Sequence, residues 1–420
     1  MRSVPGNSDG AVSHILVFEP DAEGHPREWL EHIVAYVAAE QADIRTTFVV
    51  AAEMRTHLDA CVPSIAGDRI RVLALTPAER WLCTRRFLTL AAFARWWIMR
   101  RYLRRTGAQA GHFLSFDHMC LPLALGLGTG GKPVSGILFR PSVHYEGIGS
   151  YRPSLPERLR DVRKTILYRL MLLNRAVHTV LSLDPYFTPY ARRRYRFGAK
   201  VRTIGDPTHP SPGTQTGTSK VAAVSASRVG FVFFGYLTER KGLLVLLDAL
   251  ARIDPGISSR VSVTIAGRVE AALRERVEAG IRHLRKVRPE LCLRLEDRWI
   301  PAAELDAIVA AGDVVLAPYQ RFVGSSGVLL WAARMAIPVL TQDFGLLGRL
   351  VHDHRLGLTA DTLDPASLAA GIERMVIEGP HTFVDPGAAR SFAASRTPRA
   401  FAAAVVSSLW GGEPRALEAS

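Results

Sequence analysis

The chain has 420 residues, 48% of them apolar, with 34 Gly and 25 Pro, ample material for sizeable cores in two domains or three. Its net charge of +14 is uneven: residues 1–210 hold 29 Lys/Arg against 18 Asp/Glu, residues 211–420 hold 24 against 21, so an anionic partner is expected in the first half. Four scattered cysteines (Cys61, Cys83, Cys120, Cys292) exclude a metal-type spacing and fit a reduced, cytoplasmic compartment, residues 1–13 lack the apolar stretch of a signal peptide, and no uncharged apolar run is long enough to span a bilayer.

In chain order, His14–Phe18 reads as a buried strand, followed by a loop over 19–25 and a helix from Trp29 to Ala39. Strands follow at Thr46–Val50 and Arg69–Leu75, the rhythm of an α/β domain with a parallel sheet. Residues 80–105 hold eight arginines and three tryptophans and no acidic residue. A helix of that composition can lie in the interface of an anionic membrane, with Arg85, Arg86, Trp96, Trp97, Arg100 and Arg101 as contacts; an ordinary domain helix with tryptophans in the core fits equally. His112–Asp117 is a further strand, then a helix, then Gly126-Leu-Gly-Thr-Gly-Gly131. That run matches G-x-G-x-x-G, but a helix precedes it and the strand Pro133–Phe139 follows, the reverse of a dinucleotide-binding turn. It reads as a helix-ending turn. The strand 133–139 runs into Arg140-Pro-Ser-Val-His144. A basic helix over 152–175, a strand over 177–183, a second arginine patch over 186–197 and a short strand at 201–204 complete the half. Residues 205–217, rich in Pro, Gly and Thr, are the clearest linker.

The second half opens on Gly230-Phe-Val-Phe-Phe-Gly-Tyr-Leu-Thr-Glu-Arg-Lys-Gly-Leu243. Phe231–Phe234 has no alternation, as in a parallel strand covered on both faces, and Leu243, Leu246, Leu247 and Leu250 recur at helical spacing. Arg240 and Lys241 therefore sit where a strand's carboxyl end hands over to a helix, the edge at which open α/β sheets bind ligands. The pair suits a diphosphate; a solvated basic pair at a helix start is the plainer account. Further strands are expected at 261–266, ending at Gly267, at 291–295, at 313–317 and at 338–341. Helices are expected over 269–287, 301–311, 328–335 and 365–377, with another after 343. Gly324-Ser-Ser-Gly327 opens a helix, so its N–H groups and hydroxyls suit phosphate, or plain capping by Ser325 or Ser326. Residues 397–409 carry an apolar helical face suited to packing back on the first domain.

Taken together, residues 14–410 resemble in layout the retaining GT-B glycosyltransferases of family 4, the group 1 glycosyltransferases, and the motifs that carry the resemblance lie in 230–358. Phe234-Gly-Tyr-Leu-Thr-Glu-Arg-Lys-Gly resembles the family's strand–Gly–Arg/Lys–Gly–helix unit. Ala311-Gly-Asp-Val-Val-Leu-Ala-Pro-Tyr319 resembles the strand entering its donor loop. The resemblance implies an α/β GT-B fold of two Rossmann-like domains with parallel sheets facing an interdomain cleft. Expected boundaries are 1–206 for the acceptor domain, 218–390 for the nucleotide-sugar domain, and 391–420 for a returning helix and tail. It also implies diphosphate binding by Arg240 and Lys241, and donor contacts from Gly235, Tyr236, Gly267, Tyr319, Gly324, Ser325, Ser326 and Gly327. The family's two E-x7-E glutamates would fall at Val323 and Trp331, so neither glutamate role carries over. The first-domain catalytic histidine has only positional candidates, Arg140, His144 and His118.

The reaction this implies is transfer of a sugar from a nucleoside-diphosphate sugar to an acceptor hydroxyl with retained configuration, in bacterial-type glycan or glycolipid synthesis. Charge developing on the departing diphosphate would be stabilised by Lys241, Arg240 and the helix start at 324–327. No D-x-D triplet occurs, and neither a cofactor nor a metal is expected. Expected partners are the nucleotide-sugar, a glycan or lipid-linked acceptor and an anionic membrane surface, with the chain cytoplasmic or peripheral on the inner membrane face. The loss of both glutamates leaves a non-catalytic GT-B scaffold or regulatory subunit as the alternative. A nucleic-acid binder, suggested by a pI of about 10.1, lacks any recognisable module.

Overall fold

A computed structural model describes residues 14–22, 26–40, 43–62, 67, 69–146, 148–208 and 228–409. Residues 23–25 of the first loop and 209–217 of the linker lie outside the described residues. The chain divides into two compact units. Among the described residues the first comprises 14–144, 155–207 and 398–409, and the second 145–154 and 208–397. Residues 145–154, placed with the first domain on sequence, thus belong to the second. Gly149 explains why: at φ +61° it comes so close to the Asp343 backbone that a Cβ would collide with it. Beside it, the Ser150 amide and hydroxyl donate to the Asp343 carboxylate at 2.8 and 2.7 Å, and the Tyr151 ring stacks on Phe344 at 4.9 Å.

The first unit runs β1 (His14–Glu19), α1 (Pro26–Glu40), β2 (Arg45–Val50), α2 (Ala52–Cys61), β3 (Ile70–Ala74), α3 (Pro77–Cys83), α4 (Leu88–Thr106), β4 (Ala110–Phe113), α5 (Cys120–Ala124), β5 (Val134–Leu138), α6 (Leu155–Leu173), β6 (Val177–Ser182), α7 (Phe187–Arg194) and β7 (Val201–Thr203). Its seven strands are all parallel, in the order β3-β2-β1-β4-β5-β6-β7. Alternation along β1 sends Ile15 and Val17 into one core with α1, and Leu16 and Phe18 into another with α4, α6 and α7. This is how a sheet covered on both faces reads as a continuous apolar run. The helix Pro398–Ser407 completes the first of these cores: Phe401 lies 4.9 Å from the Trp29 ring, and Arg399 forks onto Glu40 at 2.6 and 2.7 Å. The glycine run after α5 turns the chain into β5 with Gly126, Gly130 and Gly131 at φ near +80°, so it ends a helix rather than opening one.

The second unit runs β8 (Val229–Phe234), α8 (Leu243–Arg252), α9 (Pro255–Ser258), β9 (Val261–Ala266), α10 (Arg274–Val287), β10 (Cys292–Glu296), α11 (Ala302–Ala310), β11 (Val314–Ala317), α12 (Gly327–Arg334), β12 (Val339–Gln342), α13 (Gly345–Asp353), β13 (Gly357–Ala360), α14 (Pro365–Glu378) and α15 (Pro386–Ala394), followed by α16, the helix Pro398–Ser407 of the first unit. Its sheet is also wholly parallel, in the order β10-β9-β8-β11-β12-β13. The strand order reverses between β8 and β11. In open α/β sheets ligands bind at the carboxyl ends of strands beside such a reversal. Both stretches singled out on sequence, 235–241 and 318–327, leave the sheet there.

Candidate active site

Within the second unit, three glycines bring the backbone of neighbouring strand ends together. Gly235 follows β8 at φ +111° and Gly267 follows β9 at φ +139°; a Cβ on Gly267 would collide with the Gly235 carbonyl oxygen. Gly242, at φ +83°, is held against the Pro318 carbonyl after β11. Such backbone conformations admit L side chains only with strain. Arg240 and Lys241 do not lie in the first turn of α8. They form a separate 3-10 turn, Glu239–Lys241, and Gly242 stands in the left-handed region before the helix begins.

That turn points Lys241 back over the sheet end. Its Nζ donates to Tyr319 Oη at 3.0 Å and weakly to the Phe234 carbonyl at 3.4 Å, leaving one of three N–H groups to spare. Tyr319 Oη in turn lies 2.6 Å from Ser326 Oγ. Ser326 caps α12 by accepting from the Val328 amide. The Arg240 guanidinium lies 4.5 Å from the Phe322 ring centroid and 5.7 Å from that of Tyr319. The Gln320 amide donates to the Arg240 carbonyl at 2.8 Å, which locks the basic turn to the loop after β11. Among the described residues no carboxylate pairs with Arg240 or Lys241. Gly235, Gly267, Arg240, Lys241, Tyr319, Ser326 and Gly327 therefore converge on one sheet end. Gly324 and Ser325 lie in the loop leading to α12, and Tyr236 projects with 57% of its surface exposed.

The positions where the resemblance would put glutamates hold no carboxylate. Val323 accepts from the Leu346 amide through its carbonyl at 3.2 Å. The Trp331 ring lies 6.0 Å from Phe234 and 5.0 Å from the Arg334 guanidinium, so an indole fills the ground beside the end of β8.

The first unit has its own strand reversal between β1 and β4, and side chains from both ends meet there. Glu19 is wholly buried and accepts from the Asp21 amide at 2.9 Å and from Ser115 Oγ at 2.7 Å. Burial, reinforced by Asp21, pushes its carboxyl up to about 7. Asp21 accepts a two-pronged contact from Arg95 at 2.9 and 3.0 Å, and the same guanidinium donates to the Cys83 carbonyl. His118 approaches Asp21 at 3.7 Å, and its imidazole is held low by burial and by Arg95. Asp21, Arg95 and His118 line a cavity of about 530 Å³ whose other walls include Leu88, Leu121, Arg163 and Leu167. Of the candidates read from the sequence, His118 and Arg85 line this cavity. An Asp two residues past a strand and an Arg seventy-four residues on give no local signal of meeting.

The other first-unit candidates lie elsewhere. His144 Nε2 is 3.1 Å from the Asp184 carboxylate; both side chains are buried, and the imidazole lies against Phe187 and Tyr190. Arg140 has an exposed side chain, and its carbonyl accepts from Lys164 at 2.8 Å.

The arginine-tryptophan segment is not one helix. A Thr76–Glu79 capping box starts α3, and a break over 84–87 separates it from α4. Arg85 covers the Trp81 ring at 3.9 Å, and Arg86 is exposed. Trp96 packs into the core with Arg100 over it at 5.6 Å. Arg101 is bound to the buried Glu79 and stands 5.4 Å from the Trp97 ring, itself 48% exposed. Among the described residues no helix is long and apolar enough to cross a membrane, and no His, Cys, Asp and Glu group is arranged to hold a metal ion.

Residues 228–378, which contain the basic turn and its surroundings, match the family model of glycosyl transferases group 1. The likeness to that family is carried by this stretch of the second unit. The whole chain is also similar in fold to solved structures. HepE of Anabaena in complex with UDP is 15% identical, with a TM-score of 0.61 over 94% of this chain and 99% of that one. Sucrose-phosphate synthase from Thermosynechococcus elongatus is 17% identical, with a TM-score of 0.62 over 94% of both chains. WaaG, a glycosyltransferase involved in lipopolysaccharide biosynthesis, is 12% identical, with a TM-score of 0.62 over 95% and 100%. At such identities the likeness is one of fold, the two parallel Rossmann-like sheets of GT-B. No curated protein sequence matches the chain. The glycine-bounded basic turn lies inside the matched region, whereas the first-unit cavity lies outside it.

Proposed function

We propose that the chain is a retaining glycosyltransferase that moves a sugar from a nucleoside-diphosphate sugar to an acceptor hydroxyl, without a metal. The observation that carries this reading is the convergence of Arg240, Lys241, Tyr319 and the capped start of α12 at the strand reversal of the second unit. In the reaction the bond from the anomeric carbon to the diphosphate breaks, the acceptor oxygen bonds to that carbon, and its proton passes to the departing phosphate. Lys241 supplies a point charge and Arg240 a planar donor to the oxygens that gain charge. Donor contacts from Gly235, Tyr236, Gly267 and Gly324–Gly327 belong to the same proposal, as do catalytic roles for His144 and Arg140. The first-unit cavity, with polar groups from Asp21, Asp117 and His118 among apolar walls, suits an amphiphilic acceptor. That feature supports a glycan or lipid-linked acceptor and a role in glycan or glycolipid synthesis on the cytoplasmic side of a membrane.

The Anabaena structure contains UDP, which makes uridine nucleotides the first to test beside GDP and ADP. A ligand that binds the native state raises apparent stability, so the matching nucleotide should raise the melting temperature. Lys241→Ala should remove that shift and turnover together while the unliganded melting temperature stays within a few degrees. Wild-type turnover in Lys241→Ala would defeat the assignment. A second reading, a non-catalytic scaffold, is favoured by Val323 and Trp331. It predicts that the nucleotide-sugar binds and is recovered intact after incubation with every acceptor tried.

A further inference from the structure

The outward face of α6 is apolar where a domain helix is normally polar. Leu155, Leu159, Val162, Ile166, Leu170 and Leu173 are between 40% and 75% exposed, and at 100° per residue they form one stripe along all five turns of the helix. The opposite face, with Tyr168, Met171 and Leu172, is buried in the core. Exposed arginines flank the stripe on both sides, Arg158 and Arg169 on one and Arg163 on the other. The two acidic residues of the helix, Glu157 and Asp161, fall on its inward half, where Asp161 accepts from Ser142 Oγ at 2.6 Å. A second apolar surface stands beside it. Phe87, at the break before α4, and Leu88 and Leu90, in its first turn, are 71%, 74% and 53% exposed, and Leu88 shares the walls of the 530 Å³ cavity with Arg163 and Leu167 of α6.

We infer that α6 and the 87–90 corner form a docking surface for an anionic lipid membrane, with the apolar stripe entering the headgroup boundary and the flanking arginines meeting lipid phosphates. Scattered exposed apolar residues are ordinary, but a continuous stripe bordered by cations on a 19-residue helix is the pattern of an interfacial helix. Charge decides between occupants. The spacing would also serve a helix pair with a second copy of the chain. Such a pair would bring the flanking arginines of the two copies together with no outward carboxylate between them, whereas an anionic surface complements them. The inference centres the lipid contact on α6 and the 87–90 corner rather than on residues 96–101, where Trp96 packs into the core and Arg101 is bound to Glu79, and it stands independently of the donor-site reading. A membrane-docked α6 places the cavity mouth at the lipid boundary.

The test is co-sedimentation of the full chain with vesicles of phosphatidylglycerol and phosphatidylcholine, against vesicles of phosphatidylcholine alone, at low and at 0.5 M salt. The wild type should bind the anionic vesicles, and binding should weaken at high salt. Leu159→Glu/Ile166→Glu should lower the partition coefficient at least about tenfold, as should Arg158→Glu/Arg163→Glu/Arg169→Glu. Both variants change only exposed positions and should keep the wild-type melting temperature and circular dichroism. A wild type that ignores anionic vesicles, or either folded variant binding as the wild type does, overturns the inference. So does a wild-type dimer that Leu159→Glu/Ile166→Glu converts to monomer without change in vesicle binding.

Discussion

Lys241 owes its position to groups that are not themselves charged: the glycines on either side of its turn and the hydroxyl of Tyr319. A Tyr319→Phe variant keeps the ring and removes the 3.0 Å contact to the ammonium. Nucleotide affinity should fall several-fold, by about 1 kcal/mol, with the fold unchanged, as titration calorimetry would show. Gly267→Ala tests the backbone side of the same site. Its φ of +139° and the Gly235 carbonyl leave no room for a methyl group, so about 1–3 kcal/mol of stability should be lost, read from urea unfolding of the second unit. Elsewhere, His112 is wholly buried, with Nδ1 2.7 Å from Ser135 Oγ, and burial pushes its imidazole down to about 3. Between about pH 6.5 and 3 the unfolded chain binds a proton that the folded chain refuses. Stability should therefore fall on acidification through that window, by about 1.4 kcal/mol per pH unit. Glu19, pushed up to about 7 from an ordinary 4.5, acts in the opposite sense: its contribution is full below about pH 4.5 and is lost as pH rises to 7. Comparing His112→Asn with the wild type cancels the Glu19 effect. The wild type's advantage over the variant should shrink as the pH falls from 6.5 to 4.5, and a constant difference in urea midpoint would refute the burial argument.

At the scale of elements, helices bounded by a capping residue and a left-handed glycine were legible. Leu243 to Leu250 announced α8 by spacing. The arginine-rich segment was less legible, because composition does not say which face of a helix turns inward. Arg95 looks like its neighbours in sequence, yet it is buried and joins Asp21 after β1 to the Cys83 carbonyl at the end of α3. Replacing it by Met should cost about 3 kcal/mol, since the Asp21 carboxylate and the Cys83 carbonyl would both lose their guanidinium partner. Arg104→Met, exposed on the same helix, should be nearly neutral. Chemical denaturation of the two variants separates a buried role from a solvated one. Helix α7 and strand β13 went unread, the first hidden by its arginine cluster and the second too short and too half-buried to show an apolar run.

At the scale of the molecule, the two units have separate cores, and the first unit is built from three stretches of chain, the last of them carrying α16. Phe401, Ala402, Val405 and Val406 of α16 are buried among residues of α1 and its strands. Phe401→Ala should remove about 3–5 kcal/mol from the first unit only. In calorimetry one of two transitions should move down while the other holds, because multi-domain chains need not unfold as a single state. What the sequence by itself determined was whatever depends on neighbours along the chain: strands covered on both faces, the helical spacing after them, the basic turn between Gly235 and Gly242, and the absence of glutamates at 323 and 331. What only the tertiary structure decided was whatever depends on neighbours in space. It set Lys241 on Tyr319, gathered Asp21, Arg95 and His118 at one cavity, returned 145–154 to the second unit, and left the α6 stripe uncovered. Apolar periodicity shows that a helix has a face to bury; which residues across the fold meet that face, or leave it to another phase, is fixed only when the sheets close and the helices pack.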